Sequence, residues 1–262
     1  MNGKTPSSGI LRTRREPPPF RHVTVVDLDR PAPHVERVTF DGPELGDLIV
    51  DEPAASVRLL LPSLGTPDLV IPTWNGNEFL LPNGHRPTIR TFTPIRTSTS
   101  TSELVLEIVL HGSGAASDWA TATTVGDRAA ISGPGRGYVA DPDASSFLLV
   151  GDESAVPAIG QLLASLPPQC PVRAGIEVTS SEAIREIPER AGTEVDWRVL
   201  PEGAPPGTEQ FEYVRSATVE AGVRIWAAGE AAAMQRIRRH LFDDRAVDRS
   251  HTMIRGYWKR TT

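Results

Sequence analysis

The feature that most constrains this chain is a change of pattern near residue 140. Before it, short apolar or alternating runs recur at His22–Leu28, Val35–Phe40, Val57–Leu61, Leu69–Ile71, Thr88–Pro94, Leu104–His111 and Arg128–Ser132. Pro, Gly, Asp and Asn separate these runs, as residues that end strands do. Glu103–Leu110 is the clearest strand, rich in branched residues and partly alternating. Short strands at this spacing predict an antiparallel, closed or nearly closed barrel. Beyond Ser146 the grammar differs. Phe147–Val150 is a continuous apolar run, as in a strand buried on both faces. Helical stretches at Ala155–Leu166, Glu209–Ala221 and Glu230–Phe242 then alternate with strands at Val172–Val178, Glu194–Leu200 and Val223–Ala228. That alternation predicts a parallel sheet with right-handed crossovers. The expected fold class is a β-barrel plus α/β: an antiparallel barrel over 20–140, then a parallel-sheet domain over 141–262, after a disordered tail over 1–19.

Charge and cysteine content narrow the partners. Among 262 residues, 27 Lys and Arg stand against 33 Asp and Glu, a formal charge of −6. This argues against a general affinity for nucleic acid or anionic lipid, so an anionic ligand must be drawn by a local basic cluster. Cys170 is the single cysteine, which excludes an internal disulfide and a multi-cysteine metal site and fits a reducing compartment. No apolar run approaches the roughly 20 residues of a membrane span. The basic residues of the tail lead into Pro17–Pro19 and not into a signal-peptide core. A cytoplasmic protein is expected, without membrane or nucleic-acid partners and monomeric in the simplest case.

Five segments carry chemistry. Arg90-Thr91-Phe92-Thr93 ends a strand and offers a cation, an aromatic ring and a hydroxyl, which an FAD pyrophosphate, its isoalloxazine and its N5 require; a polar strand with one core Phe is the plainer reading. Strand alternation puts Arg90 and Phe92 on one face. His111-Gly-Ser-Gly114-Ala115-Ala116-Ser117-Asp-Trp119 runs from a strand through a glycine turn into a short helix, where backbone N–H groups can bind phosphate. In it, His111 reads as a hydrogen-bonded structural residue and Trp119 as packing. Gly151-Asp152-Glu153-Ser154 follows the first strand of the parallel sheet, at the edge where nucleotides bind, but lacks a G-x-G-x-x-G fingerprint. Trp226-Ala-Ala-Gly229-Glu230 repeats that logic at the same edge, and Gly256-Tyr-Trp258-Lys259-Arg260 is an aromatic-basic tail.

In this order the segments resemble the siderophore-interacting proteins, flavoprotein reductases of the ferredoxin-reductase-like superfamily. The resemblance runs from about Phe20 to Arg260 and includes Val57-Arg-Leu-Leu-Leu-Pro62, Gly133-Pro134 and Gly151-Asp-Glu-Ser-Ala-Val-Pro-Ala-Ile159. It implies an FAD-binding barrel, NADH or NADPH as electron donor with a reduced ferredoxin as another candidate, and a ferric siderophore as substrate. Carried over, Arg90 would hold FAD phosphate, Phe92 would lie beside the isoalloxazine and Thr93 would bond near N5. Gly114–Ser117 would contact the pyrophosphate, with Trp119 nearby, and Gly151–Ser154 with Gly229–Glu230 would line the nicotinamide side. The family's basic cluster maps onto Arg58, Lys259 and Arg260, with Arg136. Three positions depart from the pattern: Phe92 stands where Tyr is common, Ala115 where Pro is usual, and Arg58 where Lys is expected. With only Thr261-Thr262 after the tail, no added helix is expected over the donor pocket. The same fold would also serve a general NAD(P)H:flavin or ferredoxin-type reductase, or a non-enzymatic flavin- or siderophore-binding module.

Overall fold

The computed structural model describes residues 16–62, 68–111 and 114–260. Most of the expected tail, and Gly112 and Ser113 of the glycine turn, lie outside the described residues. The N-terminal half builds a seven-stranded antiparallel sheet from β1 (Phe20–Ala32), β2 (Val35–Asp41), β3 (Val57–Leu60), β6 (Ile89–Phe92), β7 (Arg96–Ser98), β8 (Glu103–Val109) and β9 (Arg128–Ser132). The strand order is β6-β3-β9-β1-β2-β8-β7. Its two edges, β6 and β7, are consecutive in the chain and are joined by Thr93-Pro94-Ile95. Pro94 has no N–H to extend a ladder, and Ile95 N–H donates to the Val105 carbonyl at 2.9 Å. Among the described residues the chain itself, not a β6–β7 ladder, spans this gap in a barrel-like sheet.

Alternation decides what each face does. In β8, Leu104, Leu106 and Ile108 point into the core with Val38, Phe40, Leu59 and Ile131. The intervening Val105 and Glu107 are nevertheless buried, because the second half of the molecule covers the outer face. The strand expected at Leu69–Ile71 is absent: these residues are coil, and Pro72 removes the N–H that a ladder there would need. Leu69 and Ile71 instead pack against Phe20, Leu60 and Ala130, beside a short hairpin of β4 (Thr73–Trp74) and β5 (Phe79–Leu80). The one α-helix of this half among the described residues, α1 (Ala115–Ala122), follows β8.

The C-terminal half is a five-stranded parallel sheet, β12 (Thr193–Val199), β11 (Val172–Val178), β10 (Ser146–Asp152), β13 (Val223–Glu230) and β14 (Thr252–Trp258), in that spatial order. Successive residues of β10 serve opposite faces. Phe147 and Leu149 pack with Ile159 and Leu162 of α2 (Val156–Ser165). Leu148 and Val150 pack with Val214 of α3 (Thr208–Ser216) and Met234 and Ile237 of α4 (Ala231–Arg239). Each fully buried Leu or Ile contributes about 2 kcal/mol by removal from water. The order reverses direction at β10, with β11 on one side and β13 on the other, which opens a crevice at the carboxyl edge of the strands.

Candidate functional site

A cavity of about 460 Å³ lies where the antiparallel sheet meets that carboxyl edge. The barrel side is lined by Arg90, Thr91, Phe92 and Thr93, by the β8 end from Glu107 to Val109, and by His111, Gly114, Ala115 and Ala116. Arg90 sits opposite Leu59 and Phe92 opposite Val57 in the β3–β6 ladder, so both share one face, and Phe92 packs against the barrel core. The exposed Arg90 guanidinium donates to its neighbour's Ile89 carbonyl at 2.9 Å and has no carboxylate partner among the described residues. Gly114 precedes α1 with φ of +114°, a conformation that disfavours any side chain, and no side chain caps the helix. Among the described residues the first N–H groups of α1 therefore have no side-chain partner, and Gly114, Ala115 and Ala116 line the cavity.

The opposite wall is acidic. Asp152, Glu153 and Ser154 come from the turn after β10, and Glu177, Val178 and Thr179 from the end of β11. Asp152 accepts from Ser154 N–H at 2.9 Å and from the Trp258 indole N–H at 2.8 Å. Burial pushes its carboxyl pKa up, against the lowering effect of those hydrogen bonds. Glu177 accepts from the backbone N–H of Gly207 at 2.7 Å, Glu209 at 2.8 Å and Gln210 at 3.3 Å, so it caps α3. Burial raises its pKa too, and the nearby Asp152 charge adds to the rise. Tyr257, in the last strand, lines the cavity with a phenol that burial also pushes up.

Polar ties join the two walls. The Glu153 carboxylate meets the His34 imidazole of the β1–β2 turn and accepts from Thr179 N–H and Oγ1. Glu107 of β8 accepts from Arg37 at 2.8 Å and from Arg185, beyond β11, at 3.0 Å. Gln161 of α2 donates to the Pro94 carbonyl at 2.6 Å and accepts from Ala54 N–H at 2.7 Å. The His111 ring stacks near-parallel on Trp258 of the last strand, 6.2 Å between centroids.

Of the residues singled out from sequence, Arg90, Thr91, Phe92, Thr93, His111, Gly114, Ala115, Ala116, Asp152, Glu153, Ser154, Trp258 and Lys259 share this cavity. The others stand behind or beside it. Ser117 is buried in α1, where its carbonyl accepts from Thr121. Trp119 stacks on Phe40 in the barrel core, with centroids 6.1 Å apart and planes 8° from parallel. Gly151 packs the strand against α2, since a Cβ there would come within 2.7 Å of Ala155 and Ile159. Gly229 leaves room for Asp152 and Gln210, and Glu230 caps α4 by accepting from Ala232 and Ala233 N–H. Arg58 lies on the outer face of β3 directly across from Thr91. Arg136 is exposed, and its carbonyl accepts from Arg255. Arg260 N–H donates to Glu230 at 3.4 Å.

Sequence reasoning missed Glu107, Glu177, Thr179, Leu200, Pro206 and Tyr257 as lining residues. A signal existed for two of them. Glu107 and Glu177 are each the single carboxylate inside an otherwise apolar stretch of strand, Leu104–Val109 and Val172–Val178 apart from Arg173. An ionisable residue in such a place needs a partner across an interface or at a helix end.

Comparison with known proteins follows the same division. Residues 24–138 match the family model of the siderophore-interacting FAD-binding domain, and residues 144–261 match that of the siderophore-interacting protein. The crystal structure of a siderophore utilization protein from T. fusca superposes with a TM-score of 0.82 at 31% identity, covering 94% of this chain and 96% of that one. A ferric vibriobactin reductase from Vibrio cholerae is 26% identical, over 86% of this chain and 83% of its own length. An NADPH-dependent ferric-chelate reductase from Escherichia coli is also 26% identical, over 91% and 92%.

Proposed function

This chain belongs to the siderophore-interacting protein family, and from that premise we propose that it is an FAD-dependent ferric-siderophore reductase of the cytoplasm. The observation that carries the reading is the convergence of Arg90, Phe92, Thr93 and the uncapped N-terminus of α1 on one cavity. These residues fit FAD. A pyrophosphate needs a cation without a carboxylate partner and free backbone N–H groups, and Arg90 with Gly114–Ala116 offers both. Phe92 offers a ring face for the isoalloxazine and Thr93 a hydroxyl beside it. The volume of about 460 Å³ suits the reactive end of such a cofactor. When bound, FAD supplies acceptance of a hydride and delivery of single electrons to Fe³⁺.

The protein's own task is to position and to exclude water. We assign 20–140 to the FAD-binding barrel and 141–262 to the donor side, with NADH or NADPH as donor and a reduced ferredoxin as the alternative. The ferric complex is held from outside by Arg58, Lys259 and Arg260, with Arg136 further along the rim. None of these four has a carboxylate ion-pair partner among the described residues, so their charges are open to an anionic ligand. Oxygen ligands bind the hard Fe³⁺ better than Fe²⁺, so reduction loosens the complex without breaking a bond in the ligand. No general acid or base is needed. No helix among the described residues is long and apolar enough to cross a membrane, and a monomer suffices for this chemistry.

Charge reversal tests the substrate side. Arg58→Glu with Lys259→Glu should raise KM for an anionic ferric siderophore about tenfold and leave KM for an uncharged acceptor dye within twofold. Unchanged KM for both acceptors would remove the basic rim from the substrate site.

A further inference from the structure

On one side the parallel sheet ends in a strand with no neighbour. β12 pairs with β11 over all of Thr193–Val199 without a register shift, and no strand of the described residues lies beyond it. In a parallel ladder the N–H and carbonyl of one residue turn to one neighbour, and those of the next residue to the other. The Gly192 carbonyl accepts from Val172 N–H at 3.0 Å, and Leu200 N–H donates to the Val178 carbonyl at 2.8 Å. Even-numbered residues therefore face β11. Thr193, Val195, Trp197 and Val199 turn their backbone groups outward, where none has a backbone partner among the described residues. At the other edge of the sheet, by contrast, Arg238 donates to the Ile254 carbonyl of β14. Of the devices that keep edge strands apart, β12 has no Lys, Pro or bulge, only charge.

That charge is complementary to itself. Alternation puts Val195, Trp197 and Val199 on the α2 face, where Trp197 packs against the core. Glu194, Asp196 and Arg198 take the α3 face, where Arg198 pairs with Glu209 at 2.8 Å and with Asp196 at 2.9 Å. Val195 is 37% and Val199 45% exposed. A second copy laid antiparallel against the free edge, with the twofold axis at Trp197, brings Asp196 of each copy across from Arg198 of the other. Val195 then stands across from Val199, and the outward N–H and carbonyl groups of these residues and Trp197 meet as an antiparallel ladder requires. The four central charges alternate in sign around the axis. Centring it on Asp196 or Arg198 sets two identical charges face to face, and centring it on Val195 sets Glu194 across from Asp196, each of which is destabilising. An open groove of about 580 Å³, whose lining includes Ile187, Pro188, Thr193 and Val195, lies beside the start of β12. The Trp197 register places Val199 and Pro201 of the second copy against it.

We propose that β12 is the contact strand of a symmetric dimer, in which two copies of this chain join their parallel sheets through an antiparallel β12–β12 ladder. The occupant of the edge is a second copy because the order of charged and apolar residues matches its own reverse, as an isologous contact demands. A single strand pair is a small interface, so the dimer dissociates on dilution.

The test uses the FAD-loaded full chain in sedimentation velocity over about a hundredfold range of concentration. The unaltered protein should pass from monomer to dimer as concentration rises, and a protein that stays monomeric throughout overturns the proposal. Hydrogen exchange on the same samples should slow about tenfold at the amides of Val195, Trp197 and Val199 as the dimer forms. A dimer that leaves these amides unprotected uses another face and overturns the proposal too. Variants then test the register. Asp196→Arg and Arg198→Asp each set like charges across the axis and should be monomeric alone, whereas their equimolar mixture should dimerise. Val195→Pro removes one outward N–H and spares the β11 ladder, so it should give a monomer that melts as the dilute unaltered protein does. A dimer as tight as that of the unaltered protein in any single variant, or a mixture no more dimeric than its components, overturns the proposal. Should a variant fail to fold, exchange in the unaltered protein still decides.

Discussion

The indole N–H of Trp258 donates to Asp152 Oδ2 at 2.8 Å, tying the end of the last strand to the end of the first strand of the parallel sheet. The same ring lies near-parallel to His111, which ends the barrel strand leading toward α1. One side chain thus links the acidic wall, the C-terminal strand and the barrel. Trp258→Phe keeps a ring against His111 but leaves a buried carboxylate short of one donor. Urea unfolding should show a loss of about 1–2 kcal/mol. Trp258→Ala removes the ring packing as well and should cost more; equal losses in the two variants would mean that the ring packing contributes nothing beyond the hydrogen bond.

Glu107 pairs with Arg37 within the barrel sheet and ties the two halves together through Arg185, and its carboxylate and the Arg185 guanidinium are both less than 10% exposed. Glu107→Ala leaves Arg185 buried without its charge partner, at a cost of about 3–5 kcal/mol. Glu107→Leu combined with Arg185→Leu removes both charges and should recover most of that loss. A double variant as unstable as the single one would show that packing, not the unpaired charge, sets the cost.

The raised carboxyls of Asp152 and Glu177 set a sign for pH dependence. Burial is the leading cause for both, so the folded state holds their protons more tightly than the unfolded chain does. Their contribution is greatest below the ordinary carboxylate range near pH 4 and falls as pH rises through the higher folded values. The combined Asp152→Asn and Glu177→Gln variant should therefore gain stability over the unaltered protein as pH rises from about 4 to 7, read from denaturation midpoints at each pH. A difference that stays flat with pH would contradict the assigned direction.

Strand positions were legible where the apolar pattern was local. The runs at Val57–Leu61, Arg128–Ser132 and Val172–Val178 became β3, β9 and β11 because each has turn residues on its flanks and a buried face to fill. Leu69–Ile71 shows the limit, since apolar residues beside Pro72 pack as well from coil as from a strand. The helix expected over Glu209–Ala221 stops at Ser216, where the branched pair Thr218 and Val219 follows. At the site, Arg90–Thr93 and the turn before α1 could be read because ligand groups fall within a few residues. Glu177 as the cap of α3 could not, because its partners lie some 30 residues later and meet it only through the crossover. Trp119 reads as packing from its own segment and does stack on Phe40, a partner remote in sequence; the place near the pyrophosphate that the resemblance implies is not among the cavity's lining.

Glycine positions offer a check on the packing beneath the site. Gly175 of β11 lies under the Tyr213 ring of α3, and an added Cβ would overlap that ring. Gly175→Ala should displace α3 and cost about 1–3 kcal/mol. Since α3 is held to the sheet by Glu177, the variant should also expose Tyr213, visible as a change in near-ultraviolet circular dichroism. An unaltered spectrum and melting point would show that the ring moves aside freely.

The central claim is that this chain carries electrons through a bound flavin to a chelated ferric ion. The most direct measurement is the visible spectrum of the FAD-reconstituted protein under anaerobic conditions, followed on addition of NADH, NADPH or reduced ferredoxin and then a ferric siderophore. The account predicts flavin bands that bleach with one of these donors and return with the ferric complex, with Fe²⁺ captured by a ferrous-specific dye. A protein that gains no flavin bands on incubation with FAD, or whose reduced flavin persists in the presence of the ferric complex, would contradict it.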